Sequence, residues 1–214
     1  MAVAAALPAA AAAQPYLGAG GPHRGTFEIG GGGVWTRGYE AGSAIAATLA
    51  TPSGGTFPLF VVNARVLSAS GAAAHVGIYL GRRVSVEARF EYSRSMFRAS
   101  LTKDFESTPD TGAGATIRSY LVGGSLLYHL REGRFVPFVS GGGGYLRQLH
   151  EANADLLTGA EVHAGGGLEY WLGTAAHRFG LRVEGAASAR SRSVAFEQKR
   201  RMLPSVTAGV SYQF

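Results

Sequence analysis

VSVEARFEYS, at residues 84–93, alternates apolar and polar side chains along its whole length. Successive side chains of a β-strand point to opposite faces, so the stretch predicts a strand with one apolar face and one polar face. The polar face carries Glu87, Arg89 and Glu91, which makes it a charged surface. A sheet of such strands has two very different sides, and closing the sheet into a barrel gives each side its own environment.

The same alternation recurs along the rest of the chain, interrupted by turn-like segments. An even number of antiparallel strands is typical of single-chain bacterial membrane barrels. The alternation predicts eight strands, at residues 26–38, 72–81, 84–97, 116–130, 135–148, 160–172, 178–193 and 203–214.

The composition favours a membrane sheet over a soluble helical protein. Charged residues make up 16% of the chain, against about 25% in typical soluble domains. Glycine accounts for 32 of the 214 residues, and each glycine inside a helix costs about 1 kcal/mol relative to alanine. After the N-terminus, no uncharged apolar run reaches the length of about 18 residues that a transmembrane helix needs. A membrane protein with this sequence must therefore cross as a closed sheet, which satisfies its backbone hydrogen bonds in lipid.

The connections between the predicted strands alternate in length. Short turns at one end and longer loops at the other are typical of outer-membrane barrels, and they predict that both termini are periplasmic. The apolar run Phe57–Leu67 lies in the first long loop. It either extends a strand beyond the membrane or packs over the barrel mouth, and a ninth spanning strand is disfavoured. The short turns are residues 81–83, 131–134 and 173–177, and the longer loops are 39–71, 100–115, 150–159 and 194–202.

The N-terminal segment Met1–Ala13 is rich in alanine and reads MAVAAALPAAAAA. Its last small residues fit a signal-peptide cleavage site before Gln14, although no basic residue precedes the apolar run. The segment is interpreted as the remnant of a signal peptide, and a flexible alanine-rich tail is the alternative. The predicted organisation is a signal remnant at residues 1–13, a flexible segment at 14–25 and a barrel at 26–214.

The last strand ends in VSYQF, at residues 210–214, with apolar residues at alternate positions before a terminal phenylalanine. With the strand–turn segments at residues 81–87 and 136–145, it resembles the small eight-stranded bacterial outer-membrane barrels, the class of the outer-membrane protein A membrane domain. The resemblance covers residues 26–214 and implies an all-β, eight-stranded antiparallel up-and-down transmembrane β-barrel. It also implies that Val210, Tyr212 and Phe214 form the signal that the barrel-assembly machinery reads. A soluble lipocalin-type barrel is the alternative fold.

The polar faces of the strands predict a charged lumen. An eight-stranded barrel is narrow enough for side chains to fill it, and buried charges must be paired. The predicted structural network consists of Glu28, Glu87, Arg89, Glu91, Glu161, His163, Glu169, Arg182 and Glu184, and the alternative is an ion or proton path through the same residues.

The sequence gives no sign of a cofactor, a metal or a nucleic acid. It has no cysteine, and its six histidines are far apart and in no ligand spacing. The glycine runs lack the Lys-Ser/Thr of a phosphate loop. The net charge of +6 comes without a nucleic-acid-binding motif. We therefore expect no cofactor, no metal site and no nucleic-acid partner.

Basic residues cluster around the last long loop. Arginine side chains pair well with phosphates, so the cluster is a candidate contact for lipopolysaccharide, and an ordinary solvated loop is the alternative. Its members are Arg190, Arg192, Lys199, Arg200 and Arg201.

The sequence favours a non-enzymatic, monomeric protein of the bacterial outer membrane, with a structural or surface-interaction role through its extracellular loops. One alternative is a channel or carrier for a small apolar solute, with Phe57–Leu67 shaping an entrance. Another is a lipid A-modifying enzyme, but the histidine and serine two positions apart that deacylases carry are absent at His129 and His163.

Overall fold

The computed structural model describes residues 21–50, 56–102, 113–151, 155–173, 178–191 and 202–214. Predicted features at residues 1–20, 51–55, 103–112, 152–154, 174–177 and 192–201 lie outside these ranges. The strands are β1 (Phe27–Thr36), β2 (Tyr39–Ala50), β3 (Thr56–Val66), β4 (Ala69–Tyr79), β5 (Val84–Thr102), β6 (Ala113–His129), β7 (Phe135–His150), β8 (Asp155–Gly173), β9 (Arg178–Arg190) and β10 (Met202–Gln213).

Eight of these strands close into an antiparallel barrel, which confirms the predicted fold class. Around the wall the order is β5, β4, β1, β10, β9, β8, β7 and β6, and β6 pairs back with β5. The first and last strands meet with Glu28 opposite Gln213. Phe27 and Phe214 exchange two backbone hydrogen bonds of 3.1 Å at the end of this seam. Because every barrel strand has two neighbours, the wall has no free sheet edge along the paired stretches.

The outside of the barrel is apolar and the inside is polar. Large outward side chains such as Val122 and Val162 are about three-fifths exposed (58% and 60%), whereas inward Glu169 is 1% exposed. A soluble lipocalin-type barrel has the reverse arrangement, with apolar side chains inside. An apolar outer band around a polar lumen is the arrangement of a membrane-spanning barrel. Among the described residues, no helix is long and apolar enough to cross a membrane.

The first long connection is a β-hairpin, which corrects the prediction of a loop at residues 39–71. β2 and β3 pair along their lengths, and β3 then pairs with the upper part of β5, from Val61–Thr102 to Val66–Phe97. The run Phe57–Leu67 therefore extends the wall beyond the eight-stranded barrel, one of its two expected roles. Its pairing with a neighbouring strand satisfies the backbone groups that a free apolar loop would expose.

The base of this hairpin packs inside the barrel mouth. Ala41, Ala64 and Val66 form a small apolar cluster with Ile117 of β6, all of them buried. Tyr39 and Phe97 lie against this cluster. The strands around the mouth also run further than predicted, since β5 reaches Thr102 and β8 begins at Asp155. The barrel thus has a short-turn end, where β1 begins and β10 ends, and a tall long-loop end.

Candidate functional site

Arg182 is the centre of the lumen. Its guanidinium donates to Glu87 Oε1 and Oε2 at 2.6 and 3.2 Å, and to Glu184 Oε2 at 2.9 Å. The same group lies over the ring of Phe138, 4.7 Å from its centroid. All three charged residues are buried. A two-point arginine–carboxylate pair out of water is both strong and directional, so it fixes side chains from β5 and β9 across the lumen.

A second set of hydrogen bonds pins the seam between the first and last strands. Glu28 Oε2 accepts from Tyr79 Oη at 3.2 Å and from Gln213 Nε2 at 3.0 Å. Gln213 Nε2 also donates to Tyr79 Oη at 2.8 Å. The three residues come from β1, β4 and β10, so their bonds hold the closing strand to its neighbours from the inside. Val210, Tyr212 and Phe214 are exposed on the outer face of the barrel.

Trp171 and Arg178 close the short-turn end of the lumen. Trp171 Nε1 donates to Glu169 Oε2 at 3.2 Å, and Arg178 lies over the Trp171 ring at 5.2 Å from its centroid. Arg178 also donates to the carbonyl oxygen of Gly133 at 2.8 Å, in the turn between β6 and β7. Both side chains are buried. These contacts fill the lumen with side chains at its short-turn end.

Three histidines in the lumen each face a serine. In one case a carboxylate completes a row, since Glu169 Oε2 lies 3.7 Å from His129 Nδ1. This row has the residue types of a serine hydrolase triad. Ser85 and His129 are each only 2% exposed, and the His129 ring packs between Tyr79 and Phe138, so a substrate has no access to the serine. The pairs are Ser85–His129 at 3.1 Å, Ser125–His163 at 3.0 Å and Ser211–His75 at 3.3 Å.

The upper lumen contains further ion pairs. Arg190 Nε donates to Glu161 Oε2 at 2.6 Å, and Arg89 pairs with Glu91. The Arg190 side chain is 13% exposed. Arg190 therefore lies on the inner wall, because its position on β9 faces Glu161 on β8, and its contact with lipopolysaccharide stays a prediction. The other members of that predicted cluster, Arg192, Lys199, Arg200 and Arg201, lie outside the described residues.

The structure places all nine predicted lumen residues on the inner wall and links eight of them to a charged partner. The ninth, His163, is bonded to Ser125. Sequence reasoning missed Tyr79, Gln213 and Trp171 as members of the network. Gln213 and Trp171 share strand parity with the inward polar residues Ser211 and Glu169, two positions away, and Tyr79 shares it with His75, four positions away. This parity was the available signal. The parity signal was hard to recognise because Tyr79 and Trp171 are aromatic and Gln213 carries an uncharged amide.

A crevice opens in the wall at the long-loop end. Pairing of β1 with β10 ends at Thr36–Ser205, and Arg37 N donates to the Pro204 carbonyl oxygen at 2.9 Å. Beyond this point the chain continues as β2, which among the described residues pairs with β3 and not with β10. A cavity of about 630 Å³ lies between the base of this hairpin and β10. We call it the wall crevice. Its lining includes the outward side chains Trp35, Met202 and Pro204, the inward side chains Val66 and Leu203, and the polar residues Arg37, Glu40, Arg65 and Ser68.

Residues whose side chains point outward and residues whose side chains point inward both line the wall crevice. Trp35 is 45% exposed and Leu203 is 3% exposed, although both contribute to it. Its volume lies within the range of about 300–1,000 Å³ that is usual for small-molecule pockets. Charged groups stand at its rim, where Arg65 lies 3.5 Å from Glu40.

Aromatic rings and arginines form two levels on the outer wall at the long-loop end. Tyr92 and Tyr120 face each other across β5 and β6, with ring centroids 5.2 Å apart. One level above the tyrosines, Arg94 lies directly opposite Arg118. At the level of the tyrosines, Arg147 of β7 lies opposite Tyr120. Arg118 is paired with Glu151 at 2.5 Å. We call Arg94, Arg118 and Arg147 the wall arginines.

A comparison with solved structures places this architecture among known folds. The outer membrane protein OprG from Pseudomonas aeruginosa is similar at a TM-score of 0.57 and 14% sequence identity, over 91% of this chain and 98% of that chain. The chain has the fold of an eight-stranded outer-membrane barrel.

Other outer-membrane proteins resemble this barrel less closely in structure. Ail, the attachment invasion locus protein of Yersinia pestis, matches at 12% identity and a TM-score of 0.42, over 89% of this chain and 99% of that chain. The outer membrane protein AlkL matches at 15% identity and a TM-score of 0.43, over 99% and 97% of the two chains. No family model and no curated protein sequence matches the barrel. At these identities the likeness concerns the fold.

Proposed function

We propose that this barrel is a non-enzymatic protein of the bacterial outer membrane that captures small apolar molecules at its extracellular end and passes them sideways into the membrane. The wall crevice is the observation that supports this proposal. It is a cavity of about 630 Å³ whose lining includes both outward and inward residues of the wall. Trp35 and Met202 stand on its outward side, where an apolar solute meets lipid.

The sealed lumen supports a sideways route over an axial one. An apolar solute that followed the lumen would have to displace the Arg182 network and then the Trp171–Arg178 closure. Leaving those buried charges without partners costs several kcal/mol. A route through the wall crevice avoids both obstacles. In this proposal the termini are periplasmic and the crevice opens near the outer leaflet.

A tryptophan in the wall crevice tests the proposal. Ser68 lines the crevice and is exposed, so Ser68→Trp fills the space with a large ring. We expect this variant to lose most of the uptake of an apolar N-phenylnaphthylamine dye into liposomes that contain the barrel. The matched control is Val139→Trp, which adds the same ring to the lipid-facing surface of β7. Equal uptake by Ser68→Trp and the wild type would contradict the proposed route.

Surface interaction through the β2–β3 hairpin is the second candidate function. The hairpin continues the wall along β5 beyond the barrel, and in the described structure β2 is the terminal strand of the sheet order. Such a strand presents backbone donors and acceptors to a partner. Shortening the hairpin would remove this function, whereas dye uptake through the lower part of the crevice would persist.

Lipopolysaccharide is the lipid partner that we propose for the outer wall. Arg118 is already paired with Glu151, so Arg94 and Arg147 on the same outer face are the cations that we propose for contact with an anion. Phosphate groups suit arginine because its guanidinium forms paired hydrogen bonds. Beside the arginines, a groove of about 500 Å³ lined by Arg147 and by Tyr120, Val122, Tyr145, Leu149 and Leu156 offers a surface for acyl chains.

A further inference from the structure

Glu28, His75 and Glu87 bring three metal-ligating atoms within 4.8 Å of one another inside the barrel. They belong to three neighbouring strands, β1, β4 and β5. The register aligns Glu28 with Gly77, and Gly77 with Glu87, across these strands. His75 lies two residues from Gly77 and therefore on the same inward face. Only the pairing of the strands brings the three residues together, since they are far apart in sequence.

Two glycines leave room for this group. Gly77 separates the two glutamates, and a Cβ placed on it would lie 3.1 Å from Glu87 Cγ. Gly30 lies opposite His75, and a Cβ there would lie 2.6 Å from His75 Nε2. Side chains at either position would push the ligating groups away. The glycines thus leave space for the imidazole and the two carboxylates to approach one another.

The Glu28 carboxylate is held in one orientation. Tyr79 and Gln213 both donate to its Oε2, which leaves Oε1 facing His75 Nε2 at 3.3 Å. Ser211 Oγ lies at the same distance from this nitrogen. Hydrogen bonds that fix a ligand in this way are a usual feature of metal sites.

The surroundings of this group hold several carboxyl groups around a single guanidinium. Glu28, Glu87, Glu169 and Glu184 all lie within 3.9 Å of the Arg182 guanidinium. Four carboxylates therefore share one arginine. Glu169 Oε1 has no hydrogen-bond partner, although the residue is 1% exposed, and it lies near the same Arg182 nitrogen as Glu28 Oε1. The neighbouring Arg89 is already paired with Glu91.

An additional cation would relieve this imbalance, because buried charges are costly unless they are compensated. A cavity of about 30 Å³ adjoins His75, Glu87 and Arg182. This is room for one water-sized occupant. Glu87 is able to serve both partners, since a carboxylate has about four lone-pair sites.

We propose that the lumen binds one divalent first-row transition-metal ion through Glu28, His75 and Glu87. One imidazole with two carboxylates suits ions such as Zn²⁺, Fe²⁺ or Mn²⁺, whereas Ca²⁺ and Mg²⁺ prefer oxygen ligands alone. Metal–ligand bonds of about 2.0–2.2 Å require the three atoms to draw together slightly from their present separation. The proposal departs from the expectation of no metal site, which considered only spacing along the chain.

Zinc binding to the folded barrel tests the proposal. The full chain is folded in detergent with Zn²⁺, freed of excess metal, and its bound zinc is measured by mass spectrometry. Folding of every variant is checked by mobility on a gel before and after boiling. The ligand variants are His75→Gln and Glu28→Gln, of which the second keeps the shape of the side chain. The control is His163→Gln, which removes another lumen histidine that also faces a serine.

We expect one zinc ion per chain in the wild type and in His163→Gln. Both ligand variants should bind zinc at least ~100-fold more weakly, because loss of partners that merely orient a ligand already costs about 10–100-fold. The proposal is overturned if the wild type holds no zinc, if a folded ligand variant holds as much as the wild type, or if His163→Gln loses zinc equally.

Discussion

At the scale of single residues, Arg182 decides the character of the lumen. It contacts four glutamates, which come from β1, β5, β8 and β9. Each of those carboxylates would face a nearly dry environment without it. The pair Arg65–Glu40 has the same chemistry but is largely in solvent, with side chains 60% and 74% exposed. The Arg182 ion pairs therefore matter more for stability than the Arg65–Glu40 pair because they are buried, although both consist of an arginine and glutamates.

Replacing Arg182 by methionine should lower the free energy of unfolding by ~3–5 kcal/mol, because it keeps much of the volume but leaves buried carboxylates uncompensated. The control Arg65→Met should change it by less than about 1 kcal/mol, as is usual for exposed ion pairs. Urea unfolding in lipid vesicles, followed by tryptophan fluorescence, measures both values. An unchanged midpoint for Arg182→Met would show that the network does not stabilise the barrel.

At the scale of elements, the β2–β3 hairpin is the part of the fold that the local sequence pattern did not predict. β2 reads YEAGSAIAATLA and β3 reads TFPLFVVNARV. Alanine, glycine and serine have weak strand propensity, so the first of these did not stand out from a loop. The second segment was recognisable as an apolar run, but its role as a strand could be assigned only once its partner strand was known. That partner is the upper part of β5, whose own length depends on β3 and β6 pairing with it.

The wall arginines also belong to this scale, since they come from three adjacent strands. Arg94→Gln combined with Arg147→Gln should weaken binding of lipopolysaccharide to the folded barrel, by about thirtyfold if each of the two lost contacts contributes of the order of 1 kcal/mol. The control is Arg82→Gln with Arg83→Gln, in the short turn at the opposite end. Binding is measured by titration of labelled lipopolysaccharide into detergent-solubilised protein. Equal weakening by both pairs would indicate a general charge effect without a site.

At the scale of the whole molecule, closure of the wall and closure of the lumen are separate properties. The wall closes by the β1–β10 and β5–β6 pairings. The lumen closes because an eight-stranded barrel is narrow and side chains such as Trp171, Tyr79 and Phe138 fill it. A barrel closed in both senses holds its shape in detergent without conducting ions.

The wild-type protein should therefore shift in mobility between unboiled and boiled samples on a detergent gel, and it should show no steady single-channel conductance in planar bilayers. The physical reason is the continuous hydrogen-bonded wall together with the Trp171–Arg178 closure. Stable ion currents from the wild type would mean that the lumen network opens. Absence of a mobility shift would contradict the closed barrel itself.

The sequence by itself determined the strand class, the eight barrel strands and the inward position of the nine predicted lumen residues. These follow from a period of two, which is a local property of the chain, and from the shortage of charge on one face. Tertiary structure alone decided that Arg190 pairs with Glu161, that the residue 39–71 connection is a hairpin, and that Glu28, His75 and Glu87 converge. Register and closure set these contacts, and both depend on pairing between strands that are distant in sequence.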